Sequence, residues 1–210
     1  MIRSILLPAA FLAAALPAHA TERSFANTGF TQVVLEANDT VSIRKGAFRL
    51  VATGSEADLD RLEIRQEGTT LRIGRKRGNW DWRGRSLQVA VSLPALTAVT
   101  VSGSGNATAD VAEGAAVNLR VSGSGDLAVR DVKTQALSAS ISGSGGLSVA
   151  SVASGGVNAS ISGSGSGSGD VSLKASGAVT ARTSGSGDVV VTGGARCTSR
   201  SSGSGTIRCN

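Results

Sequence analysis

The residues best suited to contact a ligand lie close together between positions 72 and 85. This segment holds six basic side chains against a single acid, Asp81. It also holds both tryptophans of the chain, Trp80 and Trp82, which would share one face of a strand. Such rings can stack on sugars or bases while arginines hold anionic groups. The predicted ligand contacts are Arg75, Lys76, Arg77, Trp80, Trp82, Arg83 and Arg85.

The same two tryptophans have a structural alternative. They could cover the first layer of the fold as an edge cap, with the surrounding charges simply exposed to water. The sequence favours this cap slightly over the binding interpretation, and both stay open.

Four carboxylates come nearest to an acidic catalytic cluster, namely Asp58, Asp60, Glu63 and Glu67. Polysaccharide-active enzymes can work with carboxylates and basic residues alone, so these acids mark an enzymatic alternative. Their spacing is that of an exposed turn followed by a strand, and we predict no catalytic residues.

Three further acids, Asp126, Asp170 and Asp188, each follow a glycine directly. Acids in glycine-rich repeats are typical of calcium-binding β-rolls. Other repeats hold uncharged residues at this position, namely Asn106, Gly146 and Thr206. Because calcium needs six to eight oxygen ligands, this interrupted series predicts no metal site, and no other motif indicates a cofactor.

Residues 1–20 have the layout of a secretory signal peptide. Arg3 supplies the positive charge, residues 5–16 the apolar segment, and residues 18–20 (Ala-His-Ala) the cleavage site. The apolar segment is too short to span a bilayer, and no later stretch is apolar enough to do so. The mature chain, residues 21–210, is therefore predicted to be periplasmic or secreted. Its net charge is +5, because the +6 of the full chain includes Arg3.

Removal of this segment would take away the only histidine of the chain, His19. Catalytic sites of the Ser-His-Asp and Cys-His types are then excluded, as are histidine-ligated metal sites. The Ser-Gly runs also lack the Gly-Lys-Ser/Thr ending of a phosphate-binding loop. The chain is therefore predicted not to be an enzyme.

From residue 97 onward the chain repeats itself, in units of about 20 residues. The units start at Thr97, Val117, Leu137, Val157, Val179 and Cys197. Each carries Ser-Gly-Ser-Gly at its sixth to ninth positions, flanked on both sides by alternating apolar and polar residues. A flexible linker would not keep that alternation in phase. Stacked units would bury their apolar faces, which predicts an all-β fold, a right-handed parallel β-helix with Ser-Gly-Ser-Gly corners.

The repeats also predict the geometry of the corners and the width of the interior. Glycine at each corner is expected to supply backbone angles that other residues cannot adopt. The small inward residues Ala139, Ala159 and Ala181 predict a narrow interior. An extra Ser-Gly-Ser-Gly at 166–169 is expected to form a loop at one corner.

Residues 21–96 are less regular, but their apolar residues also alternate as in strands. Ser55 followed by Asp58 predicts the N-cap of one short helical turn. No Pro/Gly-rich linker separates this part from the repeats at 97–210. We therefore predict one β-solenoid domain over residues 21–210.

The two cysteines, Cys197 and Cys209, take the first and thirteenth positions of the last, shortened unit. Paired thiols in an exported protein are typical of a structural disulfide. Both side chains are expected to point inward and to close the end of the stack. A loop of that length stabilises a fold by about 3 kcal/mol in the chain-entropy description.

An ordered series of motifs runs through the chain. A β segment led by Phe30 precedes Leu-x-Ile at 71–73 and Gly-Asn-Trp-Asp-Trp-Arg-Gly at 78–84. Leu-Pro-x-Leu at 93–96 and the repeats follow. This series resembles the bacterial domain of unknown function described as an auto-transporter adhesin head, or GIN, domain. The resemblance covers nearly all of the mature chain; it implies an exported β-helix-like fold and transfers no catalytic residues.

These observations predict a non-catalytic cell-envelope protein, a binding or adhesion-type module. The expected partner is an anionic glycan or the envelope surface rather than nucleic acid, and the fold is compatible with an oligomer. A structural envelope protein that self-assembles through its strand edges is the second interpretation. A polysaccharide-active enzyme is the third.

Overall fold

The structure, a computed structural model, describes residues 20–76, 86–162 and 169–210. Strands account for 63% of the protein and helix for 4%, which confirms the all-β prediction. No helix in this described part is long and apolar enough to cross a membrane. The elements in chain order are β1 (Thr21–Phe25), β2 (Gln32–Leu35), β3 (Thr40–Lys45), β4 (Arg49–Gly54), α1 (Glu56–Arg61), β5 (Leu62–Glu67), β6 (Thr70–Arg75), β7 (Gln88–Leu93), β8 (Ala98–Val101), β9 (Asn106–Val121), β10 (Leu127–Ile141), β11 (Leu147–Ser162), β12 (Val171–Ala175), β13 (Ala178–Ser184), β14 (Val189–Thr192), β15 (Arg196–Ser201) and β16 (Ile207–Cys209).

All of these strands belong to one mixed sheet, which is organised as two stacks. Stack A contains, in spatial order, β5, β6, β2, β8, the second halves of β9, β10 and β11, then β13 and β15. Stack B contains β1, β4, β7, β3, the first halves of β9, β10 and β11, then β12, β14 and β16. A corner joins each stack A strand from β2 onward to the next stack B strand, and the two strands with their corner form one layer.

The repeat units pair with a constant offset. Leu127 of β10 is the parallel partner of Ala107 in β9 and of Leu147 in β11, an offset of 20 residues that holds along all three strands. Equal positions therefore lie over one another, with apolar side chains inward and polar ones outward. Ala139 and Ala181, predicted to face a narrow interior, are fully buried. The right-handed parallel β-helix, including its winding hand, stays a prediction.

In β9, β10 and β11 the segment that returns from stack B to stack A is itself part of the strand. Val132 pairs with Ala112 in β9 and with Val152 in β11, and all three side chains are buried. The strands β9, β10 and β11 consequently run for 15 or 16 residues each. Each return segment therefore adds backbone hydrogen bonds and core contacts between units.

The corner glycines are needed for space and not for unusual backbone angles. Among the described residues five glycines have positive φ angles, and none of them lies in a Ser-Gly-Ser-Gly corner. An ideal Cβ on Gly125 would lie 1.9 Å from the carbonyl oxygen of Gly105, and one on Gly105 would lie 2.3 Å from that of Asp39. The expectation about backbone angles is therefore wrong. The backbones of successive corners approach too closely for any side chain to fit between them.

The N-terminal part extends the same sheet, but its layers are not in chain order. Strand β2 lies between β6 and β8, and β3 lies between β7 and β9. The layer of residues 32–45 is thus held between the layer of residues 70–93 and the first repeat unit. The predicted N-cap is present, because Ser55 Oγ accepts the backbone N–H of Asp58 at 3.2 Å at the start of α1.

The last layer consists of β15 and β16, and the predicted disulfide joins them. Cys197 and Cys209 are bonded, with their Cα atoms 6.4 Å apart. Cys197 packs against the core, whereas Cys209 is exposed, because no described strand lies beyond this layer. Ser201 Oγ donates to the carbonyl oxygen of Gly205 at 2.9 Å, so a hydroxyl replaces the inward valine or isoleucine of earlier units.

Gly125→Ala is expected to lower the free energy of unfolding by about 1–3 kcal/mol, because the added methyl group forces adjacent corner backbones apart. Gly74→Ala is the matched control, since its Cβ would make ordinary contacts with the Glu36 side chain, 3.5 Å from Oε2 and 3.8 Å from Cβ. That variant should keep the wild-type free energy of unfolding or gain up to about 1 kcal/mol. Urea denaturation followed by circular dichroism measures both. Equal stability of the two variants would contradict the spatial explanation of the corner glycines.

Candidate functional site

Two of the seven predicted ligand contacts fall within the described residues. Arg75 ends β6 in stack A, and Lys76 follows it with an exposed side chain. The others lie outside the described residues, namely Arg77, Trp80, Trp82, Arg83 and Arg85. The segment leads from β6 in stack A to β7 in stack B. It therefore makes the connection that the Ser-Gly-Ser-Gly corners make in the repeats.

A buried carboxylate holds the residues on both sides of this segment. Asp39 is fully buried, and its Oδ1 accepts the backbone N–H of Leu87 at 2.8 Å. The Nε of Arg75 donates to Oδ2 of Asp39 at 3.1 Å, and its Nη2 donates to Oδ1. The Nη1 of Arg75 donates to the carbonyl oxygen of Asp58, in α1, at 3.1 Å. One side chain thus fixes the start and the end of the connection.

Asp39 was not among the residues singled out from the sequence. Because Thr40 pairs with Asn106, Asp39 takes the position that Gly105, the last glycine of a corner, holds in the next layer. A charged residue at a corner position is the one signal that could have revealed it. Removing one partner of a buried ion pair costs about 3–5 kcal/mol, because the other charge is then left buried without compensation.

The four carboxylates considered for catalysis have separate partners. Their contacts are Asp58 with Ser55 Oγ at 2.6 Å, Asp60 with Arg23 at 2.8 Å, Glu63 with Arg65 at 2.7 Å, and Glu67 with Arg72 at 2.9 Å. The carboxylate of Asp58 accepts the hydroxyl of Ser55, the N-cap of α1, and Arg23 ties β1 to the same helix. Each of the four acids therefore makes a structural contact around α1, β5 and β6, and the four do not share a partner.

The position directly after each corner forms a hydrogen-bond ladder between layers. Asn106 Oδ1 accepts the backbone N–H of Asp126 at 3.0 Å, and Asp126 Oδ1 accepts that of Gly146 at 2.7 Å. Asp170 Oδ1 accepts the backbone N–H of Asp188 at 2.9 Å. An amide oxygen serves as well as a carboxylate here, which explains the mixture of Asn and Asp. Within the described residues no group of three or more His, Cys, Asp or Glu side chains could hold a metal ion.

Asp188 makes the ladder contact with the clearest electrostatic consequence. Its Oδ1 accepts the backbone N–H of Thr206 at 2.8 Å and the Thr206 hydroxyl at 2.7 Å. These hydrogen bonds, first the backbone one, lower the pKa of Asp188 below its usual value, and the positive charge of Arg208 adds to them. The charged form of Asp188 is therefore favoured in the folded protein.

With Asp188→Asn, the free energy of unfolding is expected to decrease less than in the wild type as the pH is lowered. A pKa lowered by folding stabilises the fold above the unfolded value of about 3.9, and this contribution is lost as the pH falls through the folded value. Urea midpoints measured from pH 6 to pH 2.5 should therefore fall more steeply for the wild type than for Asp188→Asn. Parallel curves would show that the contact between Asp188 and Thr206 does not depend on the charge.

Solved proteins of low sequence identity share this fold. A putative adhesin from Bacteroides fragilis has a TM-score of 0.68 at 16% identity, over 91% of this chain and 97% of its own. A putative lipid binding protein from Parabacteroides distasonis has a TM-score of 0.66 at 19% identity, over 92% and 98%. A putative adhesin from Parabacteroides merdae has a TM-score of 0.61 at 17% identity, over 92% and 97%. At these identities the likeness establishes the fold alone.

No curated protein matches the sequence significantly. The profile of one family does match, over residues 29–209, and it is described as "Putative auto-transporter adhesin, head GIN domain". The match spans every strand from β2 to β16 and confirms the resemblance carried by the motifs. The chain therefore belongs to the family of the auto-transporter adhesin head GIN domain.

Proposed function

We propose that this protein is an exported, non-catalytic binding or adhesion-type module of the cell envelope. Its ligand is an anionic glycan or another anionic surface of the envelope, and its contact is the segment 75–85. The family description supports the binding class, as do the adhesins among the proteins of the same fold. A further protein of this fold is described as lipid binding, which also belongs to the binding class.

The proposed scaffold is a right-handed parallel β-helix. The constant offset of 20 residues between β9, β10 and β11 supports such winding. Crossovers between parallel strands are right-handed in nearly all proteins, which supports the hand. A scaffold of this kind holds its outward residues in place before a ligand arrives, and this lowers the ordering cost of binding.

The observation that carries the proposal is the buried carboxylate of Asp39. Burying a charge is unfavourable unless it is paired and hydrogen-bonded, and Asp39 uses its contacts to fix Arg75 and Leu87. The Ser-Gly-Ser-Gly corners contain no charged residue. Fixing both ends of one basic and aromatic connection is what a preorganised binding surface requires.

The chemistry of the segment matches a ligand with rings and negative charges. The guanidinium of Arg75 is paired with Asp39, so Arg75 anchors the start of the segment and is not proposed as a direct ligand contact. The proposed direct contacts are the remaining residues, Lys76, Arg77, Trp80, Trp82, Arg83 and Arg85. Tryptophan faces attract cations and stack on sugars, while arginines form paired hydrogen bonds to carboxylates and phosphates.

Trp80→Ala combined with Trp82→Ala is expected to weaken binding to anionic oligosaccharides and lipopolysaccharide vesicles by about tenfold or more, because each stacked aromatic contributes about 1–3 kcal/mol. Wild-type binding is also expected to weaken as salt rises. Calorimetric titration of residues 21–210 at several salt concentrations measures both effects.

Trp80→Phe combined with Trp82→Phe is the matched control, because it keeps two aromatic faces and should retain most of the binding. An alanine variant that folds and binds like the wild type would show that the tryptophans are not the contact. A wild type that binds nothing, together with an alanine variant that unfolds, would identify them as a cap.

The last layer favours a second candidate, a structural protein that assembles through strand edges. Strands β15 and β16 each pair on one side only within the described part of the chain. Unpaired edges of this kind can hydrogen-bond to another chain. Sedimentation velocity at rising protein concentration tests this candidate: self-assembly predicts species that grow with concentration, and a monomer throughout contradicts it.

A further inference from the structure

The charges of the repeat units are segregated between the two stacks. From residue 97 onward there are six acids, all of them beside stack B strands or in the return segments: Asp110, Glu113, Asp126, Asp131, Asp170 and Asp188. The stack A strands of these units and the corners that follow them contain no Asp or Glu. The outer face of stack A therefore has no carboxylate from β8 to β15.

Four exposed arginines lie on this acid-free face, namely Arg120, Arg182, Arg196 and Arg200. Three of them share one column, because the parallel register leads from Arg120 through Ser140 and Ser160 to Arg182 and then to Arg200. At about 4.8 Å per strand, this column is about 19 Å long. Within the described residues none of these arginines has an ion-pair partner, and Arg120 Nε donates to Ser122 Oγ at 2.9 Å.

This arrangement is unfavourable for folding. Arg182 and Arg200 are direct partners in neighbouring strands, and like charges in that position destabilise a sheet. No acid on the same face offsets the repulsion between these two positive charges. A surface that keeps such a repulsion is suited to an anionic partner, which removes the repulsion when it binds.

Two other arginines of the sheet, Arg72 and Arg130, lie beside carboxylates. Arg72 lies in the same column at its N-terminal end, where the hydrogen bonds that its guanidinium donates to Glu67 and Glu36 raise its pKa above the usual value. On stack B, Arg130 lies 3.7 Å from Asp110 and 3.4 Å from Asp131. The arginine column of the repeats thus lacks the neighbouring carboxylates that Arg72 and Arg130 have.

The columns beside the arginines carry hydroxyl and amide groups. They consist of Asn118, Ser138, Thr180 and Thr198 on one side, and of Ser122, Ser142, Ser184 and Ser202 on the other. Such groups can exchange hydrogen bonds with sugar hydroxyls. From β9 to β15 the described residues of these columns include no aliphatic or aromatic side chain that could insert into a lipid bilayer.

The geometry points to a binding site for a linear anionic polysaccharide on the outer face of stack A from β9 to β15. The polymer lies along the stack, its carboxylates pair with Arg120, Arg182 and Arg200, and its hydroxyls meet the flanking serine, threonine and asparagine columns. This inference rests on the proposed function for the ligand class. It adds a contact surface separate from segment 75–85.

The test compares two triple variants that lose the same charge. The stack A variant is Arg120→Ser/Arg182→Ser/Arg200→Ser, and its matched control is Arg44→Ser/Lys174→Ser/Arg208→Ser on stack B. The probes are oligogalacturonates of increasing length, titrated at low salt. The stack A variant should raise Kd about tenfold or more, and the control much less. Affinity of the wild type should increase with oligomer length until the chain reaches from Arg120 to Arg200.

Several outcomes would overturn the inference. Equal losses in the two triple variants would mean that only net charge matters. An unchanged Kd in the folded stack A variant, with binding lost in Trp80→Ala/Trp82→Ala, would reject this face and leave the proposed function intact. A wild type that binds no oligogalacturonate would count against both. Arginine-dependent binding of duplex DNA or phosphatidylglycerol vesicles without polysaccharide binding would assign the face to that other polyanion.

Discussion

The close approach of successive corner backbones is the constraint on which the rest of the structure depends. The strands of a stack are about 4.8 Å apart, and the corners keep that spacing, so one corner lies directly on the next. The ideal Cβ of Gly125 would fall 1.9 Å from a carbonyl oxygen of the corner before it. Glycine at these positions therefore keeps the units in register. The register in turn places apolar residues over apolar residues and outward residues in straight columns.

At both ends of the repeats, polar groups replace the glycine or apolar residue that the repeats have at the same position. In the layer of residues 32–45 a corner position is taken by Asp39, which ties Arg75 and Leu87 together. In the last two units the inward hydroxyls of Thr183 and Ser201 donate to corner carbonyl oxygens, and a disulfide closes the final layer. Asp39 thus takes the position of a glycine, the two hydroxyls take that of inward apolar side chains, and each makes a specific polar bond.

The candidate sites were only partly predictable. The basic and aromatic composition of segment 75–85 is visible in the sequence, but the role of Asp39 depends on residues 36 and 48 positions away. The arginine column is hidden for a related reason. The repeat length changes from 20 residues to 22 and then to 18, so the sequence does not show that Arg120 and Arg182 are aligned. Their alignment becomes visible only from the pairing of Ser160 with Arg182. The acids after the corners were visible, and interatomic distances identified them as a ladder to the next backbone.

Several properties follow from the sequence alone, because they depend on neighbours along the chain. These are the strand alternation, the repeat unit with its glycine pair, the cap at Ser55, the pairing of Cys197 with Cys209, and the family. The tertiary structure decided the order of the N-terminal layers, the spatial reason for the corner glycines, the buried charge of Asp39 and the acid-free face of stack A. Those features arise from groups far apart in the chain, whose contact energies have no local pattern and exist only once the layers are stacked.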